Sequence, residues 1–112
     1  SISRSSTIGH YRNQVSSRKV FHPKDYECSG KDIEWRNIEE WQGFAKQALI
    51  GKGPLTKALE WNAGIYFFYS GLSNDIEQGI IKVKEIIHSR VALKELEKLI
   101  NWREENIDRQ IF

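Results

Sequence analysis

The residues of this 112-residue chain that could do chemistry are few and scattered. Gly51-Lys52-Gly53 is the nearest approach to a phosphate cradle, because glycine lets the backbone come close to an anion and a helix start beyond it offers free N–H donors. It lacks the longer glycine run and the Lys-Ser/Thr ending of a P-loop. A helix stop at Gly51 and a helix start at Pro54 explain the same residues. His10, His22 and His88 lie far apart in sequence, and His22 and Cys28 lack the clustered ligand spacing of a zinc site. Nothing in the sequence marks Cys28 as an activated nucleophile. Glu39-Glu40 and Glu104-Glu105 are adjacent pairs, whose side chains diverge on a helix. General acid or base work would need a burial signal that neither pair carries. The expectation is therefore no catalytic, cofactor-binding or metal-binding residue.

Contact with a partner is the better use for what remains. Four tryptophans, four tyrosines and five phenylalanines make thirteen aromatics, a large area to bury in so small a domain. Core packing accounts for most of them. Trp61 and Trp102 are the candidates for partner contact, since tryptophan is favoured at interface anchors. The formal charge of +2 conceals an asymmetry. Residues 1–24 carry Arg4, Arg12, Arg18, Lys19 and Lys24 with no acid, while the remainder holds 12 basic and 15 acidic side chains. Such an arm suits phosphates, an acidic protein face or an anionic lipid surface, and it is equally readable as a solvated or frayed terminus. A nucleic acid partner is not expected, because the basic residues are not interleaved with the aromatics and the body is acidic.

The elements that must position these residues read as one small domain. Apolar residues at 39% and charged residues at 29% are an ordinary globular balance. Thr7 to Tyr11 and Arg18 to Phe21 have strand character around a turn at 12–17, and Pro23 closes the second strand. A hairpin of this kind is marginal without a cover. After an irregular connection over 25–36, Asn37 and Glu40 form a capping-box variant that opens a helix with an Ile38, Trp41, Ala45, Ala48, Leu49 stripe. Pro54 starts a second helix, apolar almost all round from Ala63 to Tyr69, which its own fold or a partner must enclose; Gly71 ends it. Asn74 and Glu77 cap a third helix, striped by Ile76, Ile80, Val83 and Ile87, with Gly79 beside the stripe to admit a close neighbour. Ala92, Leu93, Leu96, Leu99 and Ile100 define a fourth helix running to about Trp102, and the charged tail over 104–112 extends it or frays. The expected fold is mainly α, a bundle of about four helices over 37–103 preceded by a β-hairpin within the basic arm at 1–24.

Single Cys28 excludes an internal disulfide and suits a reducing intracellular compartment. The chain starts at Ser1, and six serines with several arginines before Asp25 have the character of the end of an organelle transit peptide, so an organelle such as the plastid stroma is an expected location. Its longest stretch without a charged or strongly polar side chain, residues 63–69, falls far short of the roughly 20 that span a bilayer, so no transmembrane segment is expected.

Several short motifs in one order resemble the carboxy-terminal portion of anthranilate phosphoribosyltransferase, of glycosyltransferase family 3. His22-Pro23-Lys24-Asp25-Tyr26 is similar to that family's Pro-Glu-Asp-Phe/Leu element. Residues 38–50 resemble its alanine-rich helix, Gly53-Pro54 and Asn62-Ala63 its Gly-Pro and Asn-Ala signature, and Tyr66 to Gly71 its Leu-Tyr-x-x-Gly ending; Gly79 and Ala92-Leu93 continue the likeness. The family usually has an acid where Lys57 stands, two leucines where Glu60-Trp61 stand, and glycine where Arg90 stands. Glu60 at a normally apolar site suggests a changed neighbour. In that family the glycine-rich pyrophosphate loop, the acidic pair that holds magnesium and the anthranilate contacts all precede the corresponding portion. The resemblance therefore implies a scaffold without the transferase's catalytic part. A non-catalytic accessory or structural subunit of a larger protein assembly is expected, with no cofactor and no small-molecule substrate. Glu60, Trp61, Trp102, Arg4, Arg12, Arg18 and Lys19 are its candidate partner-binding residues. The alternative is the carboxy-terminal part of a working or split transferase of tryptophan biosynthesis.

Overall fold

The computed structural model describes the backbone of residues 1–111, and the side chains of the same residues except Arg12 and 108–111. Two antiparallel strands, β1 (Ser6–Arg12) and β2 (Val15–Phe21), lead through a short 3₁₀ turn at Pro23–Tyr26 to four helices: α1 (Ile38–Ala48), α2 (Thr56–Tyr69), α3 (Ile76–His88) and α4 (Val91–Ile111). The hairpin is longer than its strand-forming residues suggest and its turn is shorter. Asn13 and Gln14 both take left-handed φ values of 52° and 65°, the geometry that matches a two-residue turn to the twist of its strands. Arg12 therefore faces Val15, and Ser6 faces Phe21.

The helix ends follow local chemistry, with two shifts from the sequence expectation. Asn37 caps α1, its Oδ1 accepting from the Glu40 N–H at 2.8 Å. At α3 the cap is Asp75, one residue later than expected, whose carboxylate accepts from the Gln78 N–H at 2.7 Å. Both neighbours are competent caps, and the acid also complements the positive end of the helix dipole. Helix α2 begins at Thr56 instead of Pro54, because Pro54 and Leu55 form a turn and the first helical bond is Leu59 N–H to Leu55 O.

Burial of the α3 stripe anchors the bundle. Ile76, Ile80, Val83 and Ile87 are all buried, as their spacing of four, three and four requires of one helix face. They meet α2 at a point where two glycines replace side chains. A methyl group on Gly79 would run into the carbonyl oxygen of Gly64, and one on Gly64 would stand 3.0 Å from the Ile80 backbone nitrogen. The helices touch backbone to backbone there.

Two parts of the chain are less covered than the sequence suggests. Helix α2, apolar nearly all round, buries only Glu60, Trp61 and Gly64 fully, and Tyr66 is 69% exposed. Helix α4 continues through 104–111, so of the two expectations for the charged tail, extension and fraying, the backbone takes extension. Its 21 residues are about 31 Å long at 1.5 Å each, and the second half has outrun the bundle. The radius of gyration, 16.8 Å, exceeds the roughly 13 Å of a compact chain of this length.

Candidate functional site

The best-built polar site lies under the hairpin, and it is a core feature. Trp61 is fully buried, its ring 5.5 Å from that of Tyr26 and its indole N–H donating to Ser6 Oγ at 3.4 Å. The interface role expected of Trp61 is corrected accordingly: the ring anchors the chain's own hairpin and connection onto α2. Ile2 and Cys28 complete this cluster with Ile76 and Ile80. Ile2 also accepts the Gly30 N–H at 3.2 Å, while Ser1 and Ser3 donate to the Asp32 carboxylate at 2.8 Å each. The amino terminus is pinned, so the frayed-end reading of the arm does not hold for its first residues. Those hydroxyl donors, from Ser3 first and then Ser1, hold the Asp32 carboxyl below its ordinary value.

Glu60 sits beside Trp61 and is also buried. Lys84 and Lys57 approach its Oε2 at 3.8 and 4.0 Å, and that oxygen accepts no hydrogen bond among the described residues. Both lysine side chains are half exposed, so the pairing is loose at one end and buried at the other. As placed, Glu60 is out of a partner's reach. Burial, and then the Glu60 charge, raise the Cys28 thiol above its ordinary pKa, which makes it a poor nucleophile.

The Gly51-Lys52-Gly53 loop spends its donors on closing α1. Gly51 N–H bonds Ala48 O at 3.0 Å and Lys52 N–H bonds Gln47 O at 2.8 Å, with Gly51 and Gly53 both at positive φ. No cradle of free amides is left at Gly51 or Lys52, and the helix-stop reading accounts for these residues. Arg90, where the resemblance implies glycine, also holds a left-handed φ of 66°. Its guanidinium donates to Ile50 O at 3.1 Å and Ile87 O at 3.2 Å, tying the end of α3 to the end of α1.

Three exposed surfaces remain. A groove of about 270 Å³ runs between the connection and α1, where Trp35, Trp41 and Phe44 face Leu55 and Ala58. Trp35 is 64% exposed, and sequence reasoning missed it because it lies outside any periodic segment. Along α4, Leu99 and Trp102 are each 60% exposed, and their spacing of three puts them on the same flank. The hairpin is the third surface, with Arg4, Arg18, Lys19 and Lys24 all exposed. None of these four forms a salt bridge among the described residues. Arg12 belongs to this set by position, but its side chain lies outside the described residues.

These features define a small, mainly α module with an amino-terminal hairpin, held together by a tryptophan core and a glycine-mediated helix crossing. In sequence the chain is similar to anthranilate phosphoribosyltransferases. It is 34% identical over 80 residues to that of Desulfatibacillum aliphaticivorans, which covers 70% of this chain and 24% of the relative. It is 33% identical over 84 residues to that of Methanobrevibacter smithii, covering 71% of this chain and 25% of the relative. The chain thus spans about a quarter of the length of the curated relatives it matches, consistent with a carboxy-terminal portion. No family model matches it. Among the described residues, no helix is long and apolar enough to cross a membrane.

Proposed function

We propose that this chain acts as a non-catalytic structural or accessory module, derived from the carboxy-terminal part of anthranilate phosphoribosyltransferase and bound to a larger protein assembly. The observation that carries this reading is surface area. The chain exposes 8628 Å², whereas a compact monomer of 13.1 kDa exposes roughly 6,400 Å² by the usual mass scaling. The surplus is comparable with one side of a large obligate interface. It includes apolar side chains that a solitary small protein has reason to cover, Trp35, Trp41, Tyr66, Leu99 and Trp102 among them. Trp102 with the basic residues Arg4, Arg12, Arg18 and Lys19 make the partner-binding set. The buried lone cysteine suits a reducing compartment, an organelle such as the plastid stroma included.

A second reading is favoured by the relatives themselves, which are named as enzymes and are about four times as long as the matched region. On that reading the chain is the carboxy-terminal part of a working or split transferase, and the uncovered faces of α2 and α4 receive the remainder. Calorimetric titration of the purified chain with phosphoribosyl pyrophosphate and magnesium tests the first reading, and an upstream reading frame encoding the glycine-rich pyrophosphate loop would decide for the second. No heat of binding is expected from a scaffold, and saturable binding would overturn the first reading.

A further inference from the structure

The basic hairpin offers more than charge, because both of its strands are sheet edges. Each strand has seven residues, and the two pair only with each other. On each, every second residue turns its N–H and C=O away from its partner strand. Among the described residues, no backbone hydrogen bond links β1 or β2 to any other element. One face of the ribbon rests on the end of α2, where Tyr69 meets the rings of Phe21 and His10 at 6.5 and 5.2 Å. On the other face Tyr11 is 70% exposed and Val20 55%, with Arg18 between Ser16 and Val20. Open edges of this kind are normally blunted or covered, since they invite another strand.

We infer that the outer edge of β2 receives an extended, acidic segment of a partner protein, which adds to the hairpin as a third strand. The inference rests on the proposed role as a bound module and names the partner's chemistry at one surface. Main-chain bonds to the edge supply the affinity, as in other cases of strand addition. Charge supplies the selectivity: β2 presents exposed Arg18 and Lys19, Arg4 and Lys24 flank the ribbon in sequence, and none of the four forms a salt bridge among the described residues. A second copy of the chain is a poor occupant, because it would bring the same positive charges to the same edge. A third strand also brings the ribbon to the minimum of an independently stable sheet.

The test uses the whole chain and three probes: an eight-residue peptide alternating threonine and glutamate, the same peptide with two central threonines replaced by proline, and oligouridine RNA. The first peptide is expected to bind by fluorescence anisotropy and to slow amide exchange at Ser16, Arg18 and Val20. The proline peptide, equal in charge but unable to complete a ladder, is expected to bind at least about tenfold more weakly. Arg18→Glu with Lys19→Glu is expected to weaken the first peptide on the order of tenfold through two reversed contacts. Arg18→Gln with Lys19→Gln, whose fold is checked by circular dichroism, gives an intermediate loss. Equal binding of both peptides, no binding of either, or binding of the RNA alone would overturn strand addition. None of these outcomes bears on phosphoribosyl pyrophosphate binding, so the module reading stands or falls separately.

Discussion

The same substitution at two helical glycines should move stability in opposite directions. Gly43 lies in α1, and a methyl group added there meets nothing within 4 Å. Gly43→Ala therefore collects the helix-propensity gain alone, about 1 kcal/mol. Gly79 lies in α3 against Gly64, where the new methyl group would collide with a carbonyl oxygen and stand 3.0 Å from Ser73 Oγ and 3.1 Å from the Gly64 carbonyl carbon. Most of these atoms are backbone and cannot rotate away, so the overpacking cost falls toward the upper end of its range, about 3 kcal/mol. Subtracting the same propensity gain leaves Gly79→Ala destabilised by about 2 kcal/mol. Thermal unfolding followed by circular dichroism reads both variants. At about 5 °C per kcal/mol for a domain of this size, Gly43→Ala should rise by about 5 °C and Gly79→Ala fall by about 10 °C. Shifts of the same sign in the two variants, or a Gly79→Ala protein more stable than the parent, would refute the backbone contact between α2 and α3.

Three other expectations follow from particular side chains. Glu60→Leu should raise the melting temperature, with a gain of about 1 kcal/mol, because it removes a buried oxygen that accepts no hydrogen bond and leaves only half-exposed lysines behind; a clear drop on thermal unfolding would show that the ion pairs stabilise the fold. Arg90→Gly should sit within about 0.5 kcal/mol of the parent, since relief of the left-handed backbone offsets the lost bonds to Ile50 and Ile87, whereas Arg90→Ala keeps the strain, loses the bonds and should cost about 1 to 2 kcal/mol in urea unfolding. Cys28 should resist iodoacetamide at pH 8 in the native chain and react quickly in urea. Because its folded pKa is raised, the stability linked to its neutral thiol is complete below the unfolded pKa and is lost as pH rises through the folded one; equal alkylation rates in the two states would contradict the burial.

Regular periodicity made most of the bundle legible in the sequence. The α3 stripe of Ile76, Ile80, Val83 and Ile87 is buried throughout, and Gly51 and Gly71 both end their helices at positive φ. The family likeness was readable from short motifs at compatible spacing. Boundaries were less so, because adjacent residues can do the same job: Asp75 caps as well as Asn74, and a turn at Pro54 serves as well as a helix start. Trp61 was the larger lesson for the candidate site. Residue type marks tryptophan equally for a core and for an interface, and only the Tyr26 and Ser6 contacts, 35 and 55 positions away, decide for the core. Ile2 carried no sequence signal either, being a lone apolar residue in a polar run, yet it is 5% exposed and pins the amino terminus. Gly64 gave a signal that was only half read: Gly79 announced a close neighbour, but nothing in the periodicity of either helix said that a second glycine would be that neighbour.

The basic arm shows why surface function is read late. Composition revealed its charge, but the charge acquires a direction only when Arg18 and Lys19 are placed on a strand whose edge is open. Likewise the apolar residues of α4 looked like a core stripe in sequence. The helix outruns the bundle, and Leu99 and Trp102 are left exposed on it.

The proposed role requires that these residues build a scaffold with surfaces for a partner and no means of transferring a phosphoribosyl group. The most direct measurement is consumption of anthranilate by the purified 112-residue chain supplied with phosphoribosyl pyrophosphate and magnesium. A scaffold gives a rate indistinguishable from the protein-free mixture, whereas sustained turnover by this chain alone would contradict the proposed role.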